Sequence, residues 1–285
     1  MEIVEKAPAK LNLGLQIMGK RSDGFHDLIS IFQTIDLYDN LIFDDAKKGQ
    51  TILSCDDPEL SCGTDNLVWR AVDVFRQKTG IDEGIKIHLK KQIPYGAGLG
   101  GGSSDAATVL SVLNRIWNAR LSLDTLQDLG LQLGSDVPFF LQKGTALVKG
   151  RGEQLQYFSW RAEFTYVLVV PRFEIATGWA YANYKKALTE KGGYATFLDS
   201  VSLDAICVSG LLRHLRNDFL PLVLQTHPEV SQILTEFEKV GAGVASLSGS
   251  GSTLYGVFED PQRAEEARLV FQKSGYRVFL CHPAL

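Results

Sequence analysis

Hydrophobic and polar positions change period several times along this chain, and each change marks an element. In residues 9–17, Leu11, Leu13, Leu15 and Ile17 alternate with Lys10, Asn12, Gly14 and Gln16, the period of two that predicts a strand. The first 45 residues read as strands, with Lys10 and Asn12 on one face and the leucines on the other. Over 65–79 the spacing becomes helical through Leu67, Val68, Ala71, Val72 and Phe75. Asp65 or Asn66 can cap that helix, and Gly80 ends it. Ile85, Ile87 and Leu89 then alternate with Lys86, His88 and Lys90, a half-buried strand. A glycine-rich stretch follows, then a helix carrying Ala106, Val109, Leu110, Leu113 and Trp117 on one side. A second helix, with Leu123, Leu126, Leu129 and Leu133, runs up to Gly134-Ser135-Asp136-Val137-Pro138.

Past residue 152 the pattern restarts. A β-rich run at 164–170 precedes helical stretches near 177–190, 202–216 and 229–239. A Gly/Ser segment at 246–253, a strand to Phe258, a helix at 261–273 and a strand at 276–281 complete the chain. Strands and helices mix without the regular alternation of a doubly wound sheet, which predicts an α+β fold. The break predicts two domains, 1–152 and 153–285.

Composition narrows the function more than the fold. Hydrophobic residues make up 45% and charged residues 22% of 285, ordinary for a globular protein large enough to fold without staples. A net charge of −4 with no block of like charge argues against a nucleic-acid partner. Cys55, Cys62, Cys207 and Cys281 form no CxxC pair, which fits a reducing cytosol. The opening MEIVEKAPAK lacks the apolar core of a signal peptide, and no apolar run approaches the roughly 20 residues of a membrane helix. A cytoplasmic protein with no membrane partner is expected, as a monomer or weak homodimer.

The strongest chemical signal is Pro94-Tyr95-Gly96-Ala97-Gly98-Leu99-Gly100-Gly101-Gly102-Ser103-Ser104-Asp105. Five glycines in seven residues let backbone approach a ligand, and the amides with the following helix N-terminus make an anion cradle suited to a triphosphate. No GxxxxGK[ST] is present. The GxGxxG match at Gly96, Gly98 and Gly101 lacks the ribose-binding acid of a dinucleotide site. A flexible connector is the bland alternative, but here a strand enters and an amphipathic helix leaves. Residues Pro94 and Gly96 through Ser104 (Ala97, Gly98, Leu99, Gly100, Gly101, Gly102 and Ser103 between them) are therefore expected to bind the phosphates of a ligand, which the resemblance described below implies is ATP. The Ser104 hydroxyl can also ligate Mg²⁺, as hydroxyls do in other phosphate loops.

Asp136 has two readings. Before Val137-Pro138 it is an ordinary helix start, its carboxylate capping N–H groups; alternatively it accepts the proton of a substrate hydroxyl. Lys10 is either the solvated side of an edge strand or the charge that balances such a site. A second glycine-serine segment, Ser246-Leu247-Ser248-Gly249-Ser250-Gly251-Ser252-Thr253, is either a turn or a second wall of the site. Of five histidines none forms a metal-type pair. His26, in the polar turn Ser22-Asp23-Gly24-Phe25-His26, is either a surface loop residue or the reader of a base.

In order along nearly the whole chain, these segments resemble the GHMP kinases. The resemblance rests on Ala7-Pro8-Ala9-Lys10-Leu11-Asn12, Arg21-x-Asp23-Gly24-Phe25-His26, the loop from Gly98 to Ala107, Gly134-Ser135-Asp136-Val137-Pro138, Asn217-Asp218-Phe219 and Ser248-Gly249-Ser250-Gly251. It implies a two-domain GHMP fold with its active site in the interdomain cleft, the first domain holding ATP and the second lying toward the substrate. It further implies ATP and Mg²⁺ as cofactors and a small-molecule substrate carrying cytidine diphosphate. The N-terminal motifs are most similar to the branch of the family that phosphorylates the 2-hydroxyl of a cytidine-diphosphate-linked methylerythritol in the non-mevalonate isoprenoid pathway. Asp136 then resembles the base, Lys10 the charge stabiliser, Asn12 a substrate-orienting contact, and Phe25, His26 and Tyr181 the cytosine site. Two departures stand out: Phe25 where the family often has Tyr, and Ala176 before Thr177 where it tends to have Ser or Pro. Another GHMP kinase, or a nucleotide-binding regulator without catalysis, is the alternative.

Overall fold

A computed structural model of the chain describes residues 2–159, 164–184 and 214–284. Two compact units form, interleaved along the sequence. One takes the residues up to Ala9, Leu37–Tyr95 and Gly100–Lys143. The other takes Lys10–Asp36, Gly96–Leu99 and the described residues from Gly144 onward. The long strands β1 (Ile3–Lys20) and β2 (His26–Ala46) thus each give one end to each unit.

In the first unit, β2 pairs antiparallel with β4 (Gly84–Lys90), whose other edge takes β3 (Thr51–Cys55) in parallel. Four helices complete it: α1 (Leu67–Thr79), α2 (Gly101–Ile116), α3 (Leu123–Leu133) and α4 (Val137–Gln142). The caps of α1 follow from its sequence. Asn66 accepts the Val68 N–H, and Gly80 closes the helix in the left-handed region at φ 71°. The hydrophobic stripe expected on α2 is buried at Ala106, Ala107, Val109, Leu110, Val112 and Leu113, where α1, α3 and α4 pack on it.

In the second unit, β2 pairs antiparallel with β5 (Thr145–Gly150), which pairs with β6 (Gln154–Phe158). A separate antiparallel sheet has the order β10 (Arg277–Cys281), β7 (Thr165–Val170), β9 (Leu254–Phe258), β8 (Val244–Leu247). Short helices α5 (Thr177–Asn183) and α6 (Leu220–Thr226) and the longer α7 (Glu229–Lys239) and α8 (Pro261–Lys273) accompany it. Val230, Ile233 and Phe237 of α7 and Ala264, Ala267 and Phe271 of α8 join Leu15 and Ile17 of β1 in one apolar core.

Mixed sheets and helices bear out the α+β reading, and α7 and α8 fall on the predicted ranges. The helical stretch predicted at 202–216 lies almost wholly outside the described residues, as do the end of that at 177–190 and Cys207. One local expectation changes. The helix after the glycine stretch begins at Gly101 rather than beyond Asp105, so two glycines and both serines form its first turn. Among the described residues no helix is long and apolar enough to cross a membrane.

Candidate active site

β1 carries Lys10 and Asn12, and here the edge-strand reading fails. Residues 7–15 are buried on both faces, Lys10 to 4% exposure and Asn12 to 2%. A buried ammonium needs compensation, because removing it from water costs several kcal/mol. Lys10 Nζ donates to Asn12 Oδ1 and sits 4.6 Å from the centre of the Phe32 ring. Asn12 Nδ2 in turn donates to Ser30 Oγ at 3.2 Å, and Ser30 donates to the Gly14 carbonyl at 2.5 Å. The two side chains are therefore held in one polar strip inside the unit.

The second glycine-serine segment touches that strip directly. Ser248 Oγ accepts the Asn12 N–H at 3.3 Å and donates to the Gly98 carbonyl at 2.9 Å. The Lys10 N–H bonds the Leu99 carbonyl at 2.9 Å, and the Thr253 N–H bonds Ala97 at 3.2 Å. Asn217 fixes the segment from behind, its Nδ2 donating to the carbonyls of Leu247 and Gly249 at 2.7 and 2.8 Å. Asp218 accepts the Ile17 N–H at 2.9 Å, which ties the Asn217-Asp218-Phe219 stretch to β1. Lys10, Asn12, residues 97–99 and 248–253 thus form one bonded cluster; the turn reading of 246–253 leaves out these contacts.

The remainder of the glycine stretch belongs to the first unit. Gly100 adopts φ 72° as the N-cap of α2, and the first intrahelical bond there runs from Ser104 N–H to Gly100 carbonyl. The amides of Gly101, Gly102 and Ser103 precede that bond, so they are the helix-terminal donors left for an anion. Pro94 is buried and Tyr95 and Gly102 exposed, while Ser103 is partly exposed. Ser104 is fully buried, and its Oγ has no hydrogen-bond partner among the described residues.

Asp136 is half-buried at the N-cap of α4, yet its side chain makes no capping bond there. The backbone sits in the helical region at φ −86° and ψ −14°, whereas a capping side chain normally needs an extended N-cap. The helix-start reading of this carboxylate is therefore corrected.

Phe25 and His26, adjacent in sequence, face different partners. His26 stacks on Tyr181 with ring centres 5.1 Å apart and 23° between planes, and Tyr181 meets Phe219 edge-on at 4.9 Å. Phe25 is 49% exposed with the Arg151 guanidinium 4.9 Å over its ring. Arg21, bonded through its guanidinium to Asp23 and Asp27 and through its N–H to the Phe25 carbonyl, shapes the turn. Burial, with the nearby charge of Lys20, holds His26 below its ordinary pKa.

Comparisons with known proteins identify the family. Residues 66–144 match the family described as GHMP kinases N terminal domain, and residues 203–277 match GHMP kinases C terminal. A 4-diphosphocytidyl-2-C-methyl-D-erythritol kinase of Chlorobium limicola is 40% identical over 98% of this chain and 96% of its own. The chain belongs to the GHMP kinase family. It is accordingly an ATP-dependent small-molecule kinase. A second kinase bearing the same name, from Thermodesulfovibrio yellowstonii, is 38% identical to this GHMP kinase over 96% of the chain and 95% of its own. A crystal structure titled 4-(cytidine 5'-diphospho)-2C-methyl-D-erythritol kinase superposes with a TM-score of 0.82 at 30% identity, covering 99% of this chain and all of the other. Homoserine kinase from Cytophaga hutchinsonii reaches 0.79 over the full chain, but at 18% identity it speaks for the fold alone.

Two residues of this GHMP kinase escaped the sequence reading. Asp39 and Lys91 are buried together with Asp105. Asp39 sits in a long strand and Lys91 just past one, beside exposed lysines, and no local pattern separates them from solvated charges.

Proposed function

We propose that this kinase transfers the γ-phosphoryl group of ATP to the 2-hydroxyl of 4-diphosphocytidyl-2-C-methyl-D-erythritol. The observation that carries this reading is the match, over nearly the whole length of both chains, to kinases bearing that substrate's name. The ring pair His26–Tyr181 supports it locally, since an aromatic face beside a hydrogen-bonding ring suits a pyrimidine base.

In this reaction the substrate oxygen bonds phosphorus, the bond to the β–γ bridging oxygen breaks, and ADP leaves. Asp136 takes the hydroxyl proton late in that transfer, while Lys10 offsets charge on the phosphoryl oxygens. The amides of Gly101, Gly102 and Ser103 hold phosphate oxygens. Asn12, fixed by Ser30 and Ser248, orients the substrate. Among the described residues no cluster of three His, Cys, Asp or Glu could cage a metal. A nucleotide-borne Mg²⁺ fits this, because that ion keeps waters and phosphate oxygens and asks the protein for few ligands. The unpartnered Ser104 oxygen is the residue that would hold it. When bound, Mg²⁺ would supply charge neutralisation to the transferring phosphate.

Incubation with Mg·ATP and the cytidylyl substrate should give ADP and a product heavier by one phosphoryl group, read by coupled assay and mass spectrometry. Turnover of homoserine or mevalonate instead would discard the substrate and keep the family. The His26 shift adds a signed expectation. A pKa lowered from 6.5 leaves the ring neutral at pH 7, so KM for the cytidylyl substrate should be flat above pH 7. It should rise as pH falls through the lowered pKa and the ring gains a proton. His26→Gln should remove this rise and raise KM roughly tenfold at pH 7.5, the worth of one hydrogen bond.

A further inference from the structure

The glycine stretch poses a mechanical problem. Five glycines in seven residues let the backbone approach phosphates, but they leave it unusually free to move when no nucleotide is bound. The loop's middle is tied at residues 97–99 to Lys10, Ser248 and Thr253, so what remains to be held is its two ends.

Both ends meet one buried ion cluster. Before the loop, the N–H groups of Gln92 and Ile93 both donate to Asp39 Oδ1, at 2.6 and 2.9 Å. Lys91 bonds the other oxygen of the same carboxylate. Beyond the loop, Lys91 Nζ reaches Asp105 Oδ2 on α2 at 2.9 Å. The side chains are 8% exposed for Lys91, 0% for Asp39 and 2% for Asp105. Between the two ends, Gly101 is pressed onto the same cluster. A Cβ there would lie 3.0 Å from Ile93 Cγ2 and 3.3 Å from Asp39 Oδ2.

Stability alone gives no reason for such a cluster. Three buried charges cost desolvation that their attraction barely repays, and apolar replacements of similar ion clusters are often neutral or stabilising. Burial pushes the Asp105 carboxyl up to about 7 even against the pull of Lys91. What the cluster supplies is geometry. One ammonium fixes the distance from the residues before Pro94 to the second turn of α2.

We propose that Lys91, held between Asp39 and Asp105, is a positioning residue for ATP that clasps the two ends of the glycine loop and keeps its amides at triphosphate spacing. The proposal rests on the reading of that loop as the ATP phosphate site. The test separates the two. Lys91→Met alone leaves facing carboxylates and is expected to lower Tm; the double variant Lys91→Met/Asp105→Asn relieves that repulsion and should recover much of it. If Lys91 positions the loop, the double variant still lacks the tether. Hydrogen exchange of residues 93–104 in the nucleotide-free protein should then be faster than in the wild type. KM for ATP should rise roughly tenfold, with kcat and KM for the alcohol substrate changed less than about threefold. Unchanged exchange across 93–104 overturns the clasp whatever the assay gives, including a result that places ATP away from this loop. Faster exchange with an unaltered KM for ATP, or recovery of KM together with Tm, overturns its role toward the nucleotide.

Discussion

Asp136→Asn should lower kcat roughly a thousandfold while leaving the KM for ATP and for the cytidylyl substrate within a few-fold, the range expected when a positioned base is lost. The replacement keeps the shape of the side chain and removes its ability to take a proton. Its cost to the start of α4 should be small. The carboxylate makes no capping bond to α4, so the cap energy that an N-terminal Asp normally contributes is not at stake. Val137, Pro138, Phe139 and Phe140 anchor that helix by burial instead. Because Asn matches Asp in shape and no cap is lost, Tm should fall by no more than a few degrees. Steady-state kinetics with both substrates, alongside a thermal scan, checks the split. A variant that retains wild-type kcat would remove Asp136 from the chemistry and leave positioning and charge neutralisation to carry the transfer alone.

The two readings of Asp136 show where sequence stops being enough. Gly-Ser-Asp-Val-Pro contains every local sign of a helix start, and a helix does start there. Whether the carboxylate serves that helix depends on one ψ angle, which the surrounding packing sets. Lys10 makes the same point about burial. Its alternation with leucines correctly placed it on a strand, but β1 is covered on both faces, and period two cannot distinguish a face toward water from a face toward more protein. Segments whose order depends on local rules were legible: Asn66 and Gly80 bound α1, and α7 and α8 fall where the periodicity puts them. Contacts at long separation were not. Asn217 holding the carbonyls of 247 and 249, and Lys91 joining β2 to α2, arise from how elements meet, and nothing in the neighbouring residues announces them.

The other large effect belongs to a single methyl group. Gly98 sits at φ +76°, where an alanine carries a conformational cost of about 1–2 kcal/mol. Its added Cβ would also fall 2.3 Å from the Ser248 carbonyl oxygen and 2.9 Å from that of Gly251. Both neighbours are backbone and cannot rotate away. Ser248 N–H bonds Thr253, Gly251 N–H bonds Ser248, and Asn217 grips the same turn, so the segment has little room to yield. The strain must instead separate residues 97–99 from 248–253, breaking the Ser248 bond to the Gly98 carbonyl and displacing the backbone proposed to bind phosphate. Gly98→Ala should consequently lower kcat/KM for ATP roughly a hundredfold, the usual penalty for about 1 Å of misplacement, and reduce Tm by several degrees. Gly96→Ala is the matched control. It shares the left-handed φ, at +64°, but among the described residues its Cβ would meet only the Glu174 side chain, at the ordinary contact distance of 3.7 Å. The difference between the two variants isolates the close approach from the backbone cost. Equal behaviour would mean that the two glycine-serine segments do not need to touch for this kinase to hold its nucleotide.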